Sequence, residues 1–204
     1  MAKIMNVDYE AIPAQASRIR SLGEDLNSQI TTAYSRIQGM HKYWYGKRYN
    51  SLVKSFNKIV PEINELLTLV VEEIPYALET IANNYSQADR GTIATAAQKP
   101  APKKISTIEA SEDVGMKFVT EGVNSVKTLV TNNFSSAKSK MESIGNTYSK
   151  IQWRSEASEA FKVKFQKLKT NINQSFDNIM SEFKTLMTQA MDDVQKAESS
   201  NTVQ

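Results

Sequence analysis

The chain has 204 residues, 40% of them apolar, with 25 basic against 22 acidic side chains, no cysteine and one histidine. That apolar share can build a core and the near-balanced charge argues against disorder, while the missing thiols exclude disulfide frameworks, thiolate metal sites and cysteine nucleophiles. Histidine-dependent catalysis would rest on His41 alone, and the charge splits as +1 over residues 1–100 (11 basic, 10 acidic) and +2 over 101–204 (14 basic, 12 acidic), so neither half is a nucleic-acid-binding tail.

The N-terminus, from Met1 to Glu10, has one lysine and no apolar run, so it does not read as a cleaved signal peptide. No stretch approaches the ~20 apolar residues of a membrane span; the longest, Leu66 to Val71, stops at Glu72 and Glu73. Over residues 9–40, Ile12, Ala16, Ile19, Leu26, Ile30, Ala33, Ile37 and Met40 step by three and four, which predicts a first amphipathic helix with Gly23 as a gap in its stripe. A second stripe runs from Tyr49 through Leu52, Phe56, Ile59, Ile63, Leu67, Val70, Ile74, Leu78 and Ile81 to Tyr85. About 40 helical residues would span roughly 60 Å at ~1.5 Å each. Pro61 and Pro75 fall inside the stripe without ending it, so each predicts a bend.

Beyond Arg90-Gly91 the periodicity lapses, and the Pro/Lys-rich run Gln98 to Lys104 reads as an exposed linker covering residues 91–105. Ser106-Thr107-Ile108-Glu109 fits a capping box and predicts the start of a third helix, with a stripe of Val119, Val123, Val126, Val130, Ala137, Met141 and Ile144. A fourth helix is predicted from about Glu156 to Glu198, through Phe161, Phe165, Leu168, Ile172, Phe176, Ile179, Phe183, Met187, Ala190 and Val194.

Shifting the second stripe by 109 residues lays every apolar position from Leu52 to Tyr85 on an apolar position of the fourth, and Trp44 on Trp153, the two tryptophans of the chain. A shift of 107 aligns the first helix with the third. The chain therefore reads as a tandem repeat of helix–turn–helix units, residues 1–90 and 106–204 joined by 91–105, with two extra residues in the second turn. The fold class expected is all-α: two tandem helical hairpins forming an elongated antiparallel four-helix bundle, a pseudo-dimer in one chain.

Each tryptophan sits between two long helices, in Trp44-Tyr45-Gly46 and in Trp153-Arg154-Ser155. Glycine and serine can leave helical geometry and cap the helix that follows. On the residues alone, the indole is an apolar plug for a hairpin tip. Trp44-Tyr45-Gly46, in the turn of a roughly 100-residue helical hairpin, resembles the Trp-x-Gly signature of the WXG family, the small early-secreted-antigen-like proteins associated with type VII secretion. In that family a Tyr-x-x-x-Asp/Glu motif near the end of the second helix forms part of the export signal, and Tyr85-Ser86-Gln87-Ala88-Asp89 matches it. Residues four apart share a helical face, so a receptor groove could bury the ring and pair the carboxylate. The second copy departs from the pattern, with Ser155 for the glycine and Val194 and Glu198 at the motif positions.

The resemblance implies a non-enzymatic substrate or export partner of a bacterial type VII system, made in the cytoplasm and secreted without a cleaved signal peptide. Its partners would be the secretion ATPase or an adaptor, and a co-secreted helical or toxin protein. No cofactor, metal or nucleic acid is expected, and the internal pairing implies a monomer. Two other readings stand beside this one. An intracellular helical scaffold or adaptor needs only the periodicity. A membrane-surface-binding helical effector would use the candidate basic surface of Lys162, Lys164, Lys167 and Lys169, with Lys47, Arg48, Lys54 and Lys58 at the matching part of the second helix. The adjacent pairs Glu72-Glu73 and Asp192-Asp193 point to different sides of a helix and read as solvated faces.

Overall fold

The computed structural model describes residues 7–93 and 95–201; Met1 to Asn6, where the stretch read for a signal peptide begins, lie outside the described residues. α1 (Ile12–Gly39) leads through a short 3-10 turn at Met40–Lys42 into β1 (Trp44–Tyr45). α2 (Lys47–Lys58), α3 (Val60–Leu67) and α4 (Ile74–Arg90) then return along it. An extended segment with a two-residue strand, β2 (Lys117–Phe118), connects to α5 (Thr120–Ser149) and α6 (Glu156–Ser200). No helix among the described residues is long and apolar enough to cross a membrane.

The stripe of α1 is buried throughout, from Ile12 to Met40. Gly23 belongs to that stripe for a reason the periodicity does not give. A Cβ there would fall 2.8 Å from Val71 Cγ2 and 2.9 Å from Val70 Cγ2, so the missing side chain is what lets the returning helix approach.

The α-helix of the second stripe is interrupted ahead of both prolines, each of which lacks an N–H to donate. Residue Ile59 separates α2 from α3 ahead of Pro61, and the carbonyl of Phe56 at that break accepts the buried Tyr34 hydroxyl at 2.5 Å. Ahead of Pro75 the backbone widens into a π-helical turn at Thr68–Glu73. Pro75 cannot donate to the carbonyl of Val71, four residues earlier, and that oxygen accepts Arg20 Nε from α1 at 3.3 Å instead. Arg20 also pairs with Glu79 at 2.7 Å, in a site where both side chains are largely buried.

The two hairpins pack head to tail. Along the α1–α5 interface, the most extensive in the molecule, partner numbers fall as α1 numbers rise. Gln15 and Arg18 lie beside Thr147 and Lys150, Asp25 pairs with Lys140 at 2.6 Å, Gln29 accepts from Asn133, Arg36 donates to the Leu129 carbonyl, and the Tyr43 ring lies over Gly122. α2 and α3 pack on α6. The result is an antiparallel four-helix bundle with one hydrophobic core. Rings bridge the halves: Tyr34 meets Phe56 edge-on at 5.5 Å, Phe56 lies 5.8 Å from Phe134, and Phe134 stacks on Phe176 at 3.9 Å.

The connection differs from expectation. Ser106-Thr107-Ile108-Glu109 does not cap a helix: the segment is extended and α5 begins at Thr120, leaving Val119 outside the helix and 41% exposed. Of the two N–H groups that a capping box would satisfy, that of Glu109 is taken by Gln38 Oε1 of α1 at 2.8 Å, and the backbone beside it is held by the first hairpin as well. Asn57 donates Nδ2 to the Ile108 carbonyl and accepts the Ile108 N–H, both at 2.8 Å. Nor is the connection simply an exposed spacer, because Ile105 and Ile108 are buried in the common core.

Candidate functional site

Trp44 sits at the tip of the first hairpin and is 1% exposed. Its backbone forms the β1 strand, paired antiparallel with β2 so that Trp44 faces Phe118 and Tyr45 faces Lys117, and the Val119 N–H extends the ladder to the Tyr43 carbonyl at 2.9 Å. Its indole meets the Phe118 ring edge-on at 5.4 Å and the Phe183 ring of α6, near parallel, at 6.0 Å. The tryptophan therefore locks three parts of the chain together: its own turn, the connection and the second hairpin.

Gly46 enters α2 with φ +111°, a conformation L side chains rarely adopt, and a Cβ there would stand 3.1 Å from the Gly115 carbonyl oxygen. Both facts demand glycine. Its counterpart Ser155 has φ −150°, ordinary extended backbone, and its hydroxyl caps α6 by accepting the Ser158 N–H at 3.1 Å. The second turn needs a cap and not a glycine, which accounts for the departure from the Trp-x-Gly pattern. Trp153 is also buried, and its carbonyl accepts the Ser158 hydroxyl at 3.1 Å, while the Tyr148 hydroxyl donates to the Ser158 carbonyl at 2.9 Å.

Tyr85 is half-buried and Asp89 exposed, in the last turns of α4. The head-to-tail packing places this end of the first hairpin at the same end of the bundle as the Trp153 turn. The Asp89 carboxylate accepts a short hydrogen bond from the Tyr9 hydroxyl, and this bond pushes the Tyr9 hydroxyl above its ordinary pKa. Arg90 pairs with Glu10 and lies over the Tyr9 ring, 5.6 Å from its centroid. Tyr9, Glu10 and Arg90 were not singled out by the sequence reading. Tyr9 and Asp89 are 80 residues apart, and no local spacing announces the pairing.

At the opposite end, a cavity of about 520 Å³ opens beside Trp44, between Met116 and Phe118 on one side and Ala190 and Val194 on the other, with Arg48 and Asp193 paired at 3.1 Å on its lining. Val194 thus stands at the wall of this cavity.

Of the candidate basic surface, Lys164 lies between Glu65 and Glu73 at 3.4 and 3.5 Å, Lys169 pairs with Glu142 at 2.7 Å, and Lys162 stands 4.0 Å from Glu159. Lys167 is exposed. The region is a mixed-charge surface. His41 is exposed in the 3-10 turn. Among the described residues, no group of three or more acidic or histidine side chains could hold a metal ion.

A helical hairpin closed at its tip by a buried tryptophan, with a positive-φ glycine two residues later, defines a class of structure: the WXG-type hairpin. Residues 4–90, the first hairpin, match the WXG100 family model, described as proteins of 100 residues with WXG. That family is associated with type VII secretion. No curated protein and no solved structure matches the chain.

Proposed function

We propose that the protein is a non-enzymatic substrate or export partner of a bacterial type VII secretion system, a single-chain fusion of two WXG-like hairpins that leaves the cell folded. The observation that carries this reading is the pairing of the Trp44-Tyr45-Gly46 turn with Tyr85 and Asp89 in one hairpin, the hairpin that the family model matches. Tyr85 and Asp89 are the residues read by the secretion ATPase or its adaptor. They lie one turn apart, near the end of α4, where a receptor groove could take the ring and the carboxylate together. The second hairpin serves as the bundle partner that a separate chain would otherwise supply, and the tether replaces a bimolecular encounter with a high effective concentration.

The test is secretion of the Tyr85→Ala variant from a host with an active type VII system. Retention in the cell with unchanged helicity and melting is expected. Secretion at the wild-type level would reject the assignment. Tyr9→Phe is the matched control: it removes the hydrogen bond to Asp89 but leaves the motif intact, and should leave export in place.

A further inference from the structure

The connection between the hairpins is held by an unusual device. Asn50, Asn57 and Asn64, seven residues apart along α2 and α3, each bond both backbone groups of one extended residue. Asn64 reads Ile105 (2.7 Å from its N–H, 3.0 Å to its carbonyl), Asn57 reads Ile108, and Asn50 reads Ser111 (2.9 and 3.0 Å). The spacings match: seven helical residues rise about 10.5 Å at ~1.5 Å each, and three extended residues cover about 10 Å at ~3.3 Å each.

We propose that this face of the first hairpin is a peptide-binding groove, and that residues 103–112 are its tethered occupant. The partner class it fits is an extended peptide with two apolar residues three apart. The three asparagines contact main chain alone, so they are indifferent to whose main chain it is. Selectivity comes from the two sites that bury Ile105 and Ile108. Further polar support comes from α1, where Asn27 Nδ2 donates to the Lys103 carbonyl at 3.1 Å and Gln38 Oε1 accepts the Glu109 N–H at 2.8 Å. The ladder stops where its chemistry runs out. One more step of seven reaches Tyr43 or Val71, neither a bidentate amide, and one more step of three before Ile105 reaches Pro102, which has no N–H.

The second hairpin supplies an internal comparison. The 109-residue shift carries Asn64 onto Asn173, and Asn50 and Asn57 onto Glu159 and Gln166. Among the described residues no extended segment is bonded to these positions, and the Asn173 side-chain oxygen is buried without a hydrogen-bond partner. The rung asparagine is satisfied in the hairpin that has a strap and unsatisfied in the one that lacks it. Because the strap is attached, its effective concentration is of millimolar order, so free peptide should bind only when the strap is weakened.

The experiment uses the full chain and a fluorescein-labelled synthetic peptide of residues 102–113, followed by anisotropy. The Ile105→Ser, Ile108→Ser double variant, which loosens the strap and leaves every helix residue in place, should bind the peptide at least tenfold more tightly than the wild type. Adding Asn57→Ala and Asn64→Ala should lower that affinity at least tenfold. Absence of binding to the folded double variant, or binding that ignores the asparagine changes, would overturn the proposal. Should the double variant lose helicity, a second form keeps both isoleucines and carries a protease cleavage sequence after Ala96. Once cut, its strap is tied at one end and should yield to excess labelled peptide. A cut form that takes up no peptide at millimolar concentration also overturns the proposal.

Discussion

Gly46 carries two constraints at one Cα, a positive φ and the Gly115 carbonyl 3.1 Å from where a Cβ would stand. Gly46→Ala should therefore cost about 1–3 kcal/mol, the usual range for a strained backbone, and urea denaturation would measure it. A change under about 0.5 kcal/mol would mean the turn relaxes into another conformation. Phe176, stacked on Phe134 and 1% exposed, should cost ~3–5 kcal/mol on truncation to alanine, because both transfer and cavity terms apply. Tyr49 gives a pH signature. Its hydroxyl donates to the Ile37 carbonyl at 3.0 Å, and burial pushes its pKa up to about 12 from 10.0. The folded state thus holds a proton that the unfolded chain releases near pH 10, so this contribution is complete below pH 10 and is lost as pH rises toward 12. In stability measurements from pH 8 to 12, Tyr49→Phe should show a shallower alkaline decline than the wild type.

The elements were legible where their cause is local. A stripe with helical period buries one face whatever it packs against, and the stripe residues of α1, α5 and α6 are buried nearly throughout, Val119 being the plain exception. Prolines remove particular N–H groups, so the helix interruptions ahead of Pro61 and Pro75 could be read from sequence; that Arg20 would take the freed Val71 carbonyl could not. The strap was illegible for the same reason. Ser106 to Glu109 fits a capping box, and the local rule loses because Asn57 and Asn64, more than forty residues upstream, hold Ile108 and Ile105 extended while Gln38 takes the Glu109 N–H. At the site, the Trp44-Tyr45-Gly46 turn was visible as a motif, whereas Phe118 and Phe183 join it only through tertiary packing, as Tyr9 joins Asp89 at the other end of the bundle. Asn57→Ala tests the ladder's structural role. It should cost about 1–3 kcal/mol by leaving the Ile108 N–H and carbonyl without their partner, and should speed hydrogen exchange at Ile108. Unchanged exchange there would mean the strap is held by its isoleucines alone.

The whole molecule is two hairpins sharing one core, with the Trp44 tip of the first beside the far end of α6 and its Tyr85–Asp89 end beside the turn of the second. Burying both apolar faces within one chain leaves neither hairpin in need of a second copy, so light scattering should find a monomer near the chain mass of 22.9 kDa. A tight dimer would show that the internal pairing leaves an apolar face open. An intracellular scaffold would share this architecture, and only export separates the two readings. The direct measurement is fractionation of the native host with and without its type VII secretion ATPase. The protein should be found in the medium of the first and retained in the cells of the second. Equal amounts in both media, or none in either under conditions where other type VII substrates are exported, would contradict the assignment.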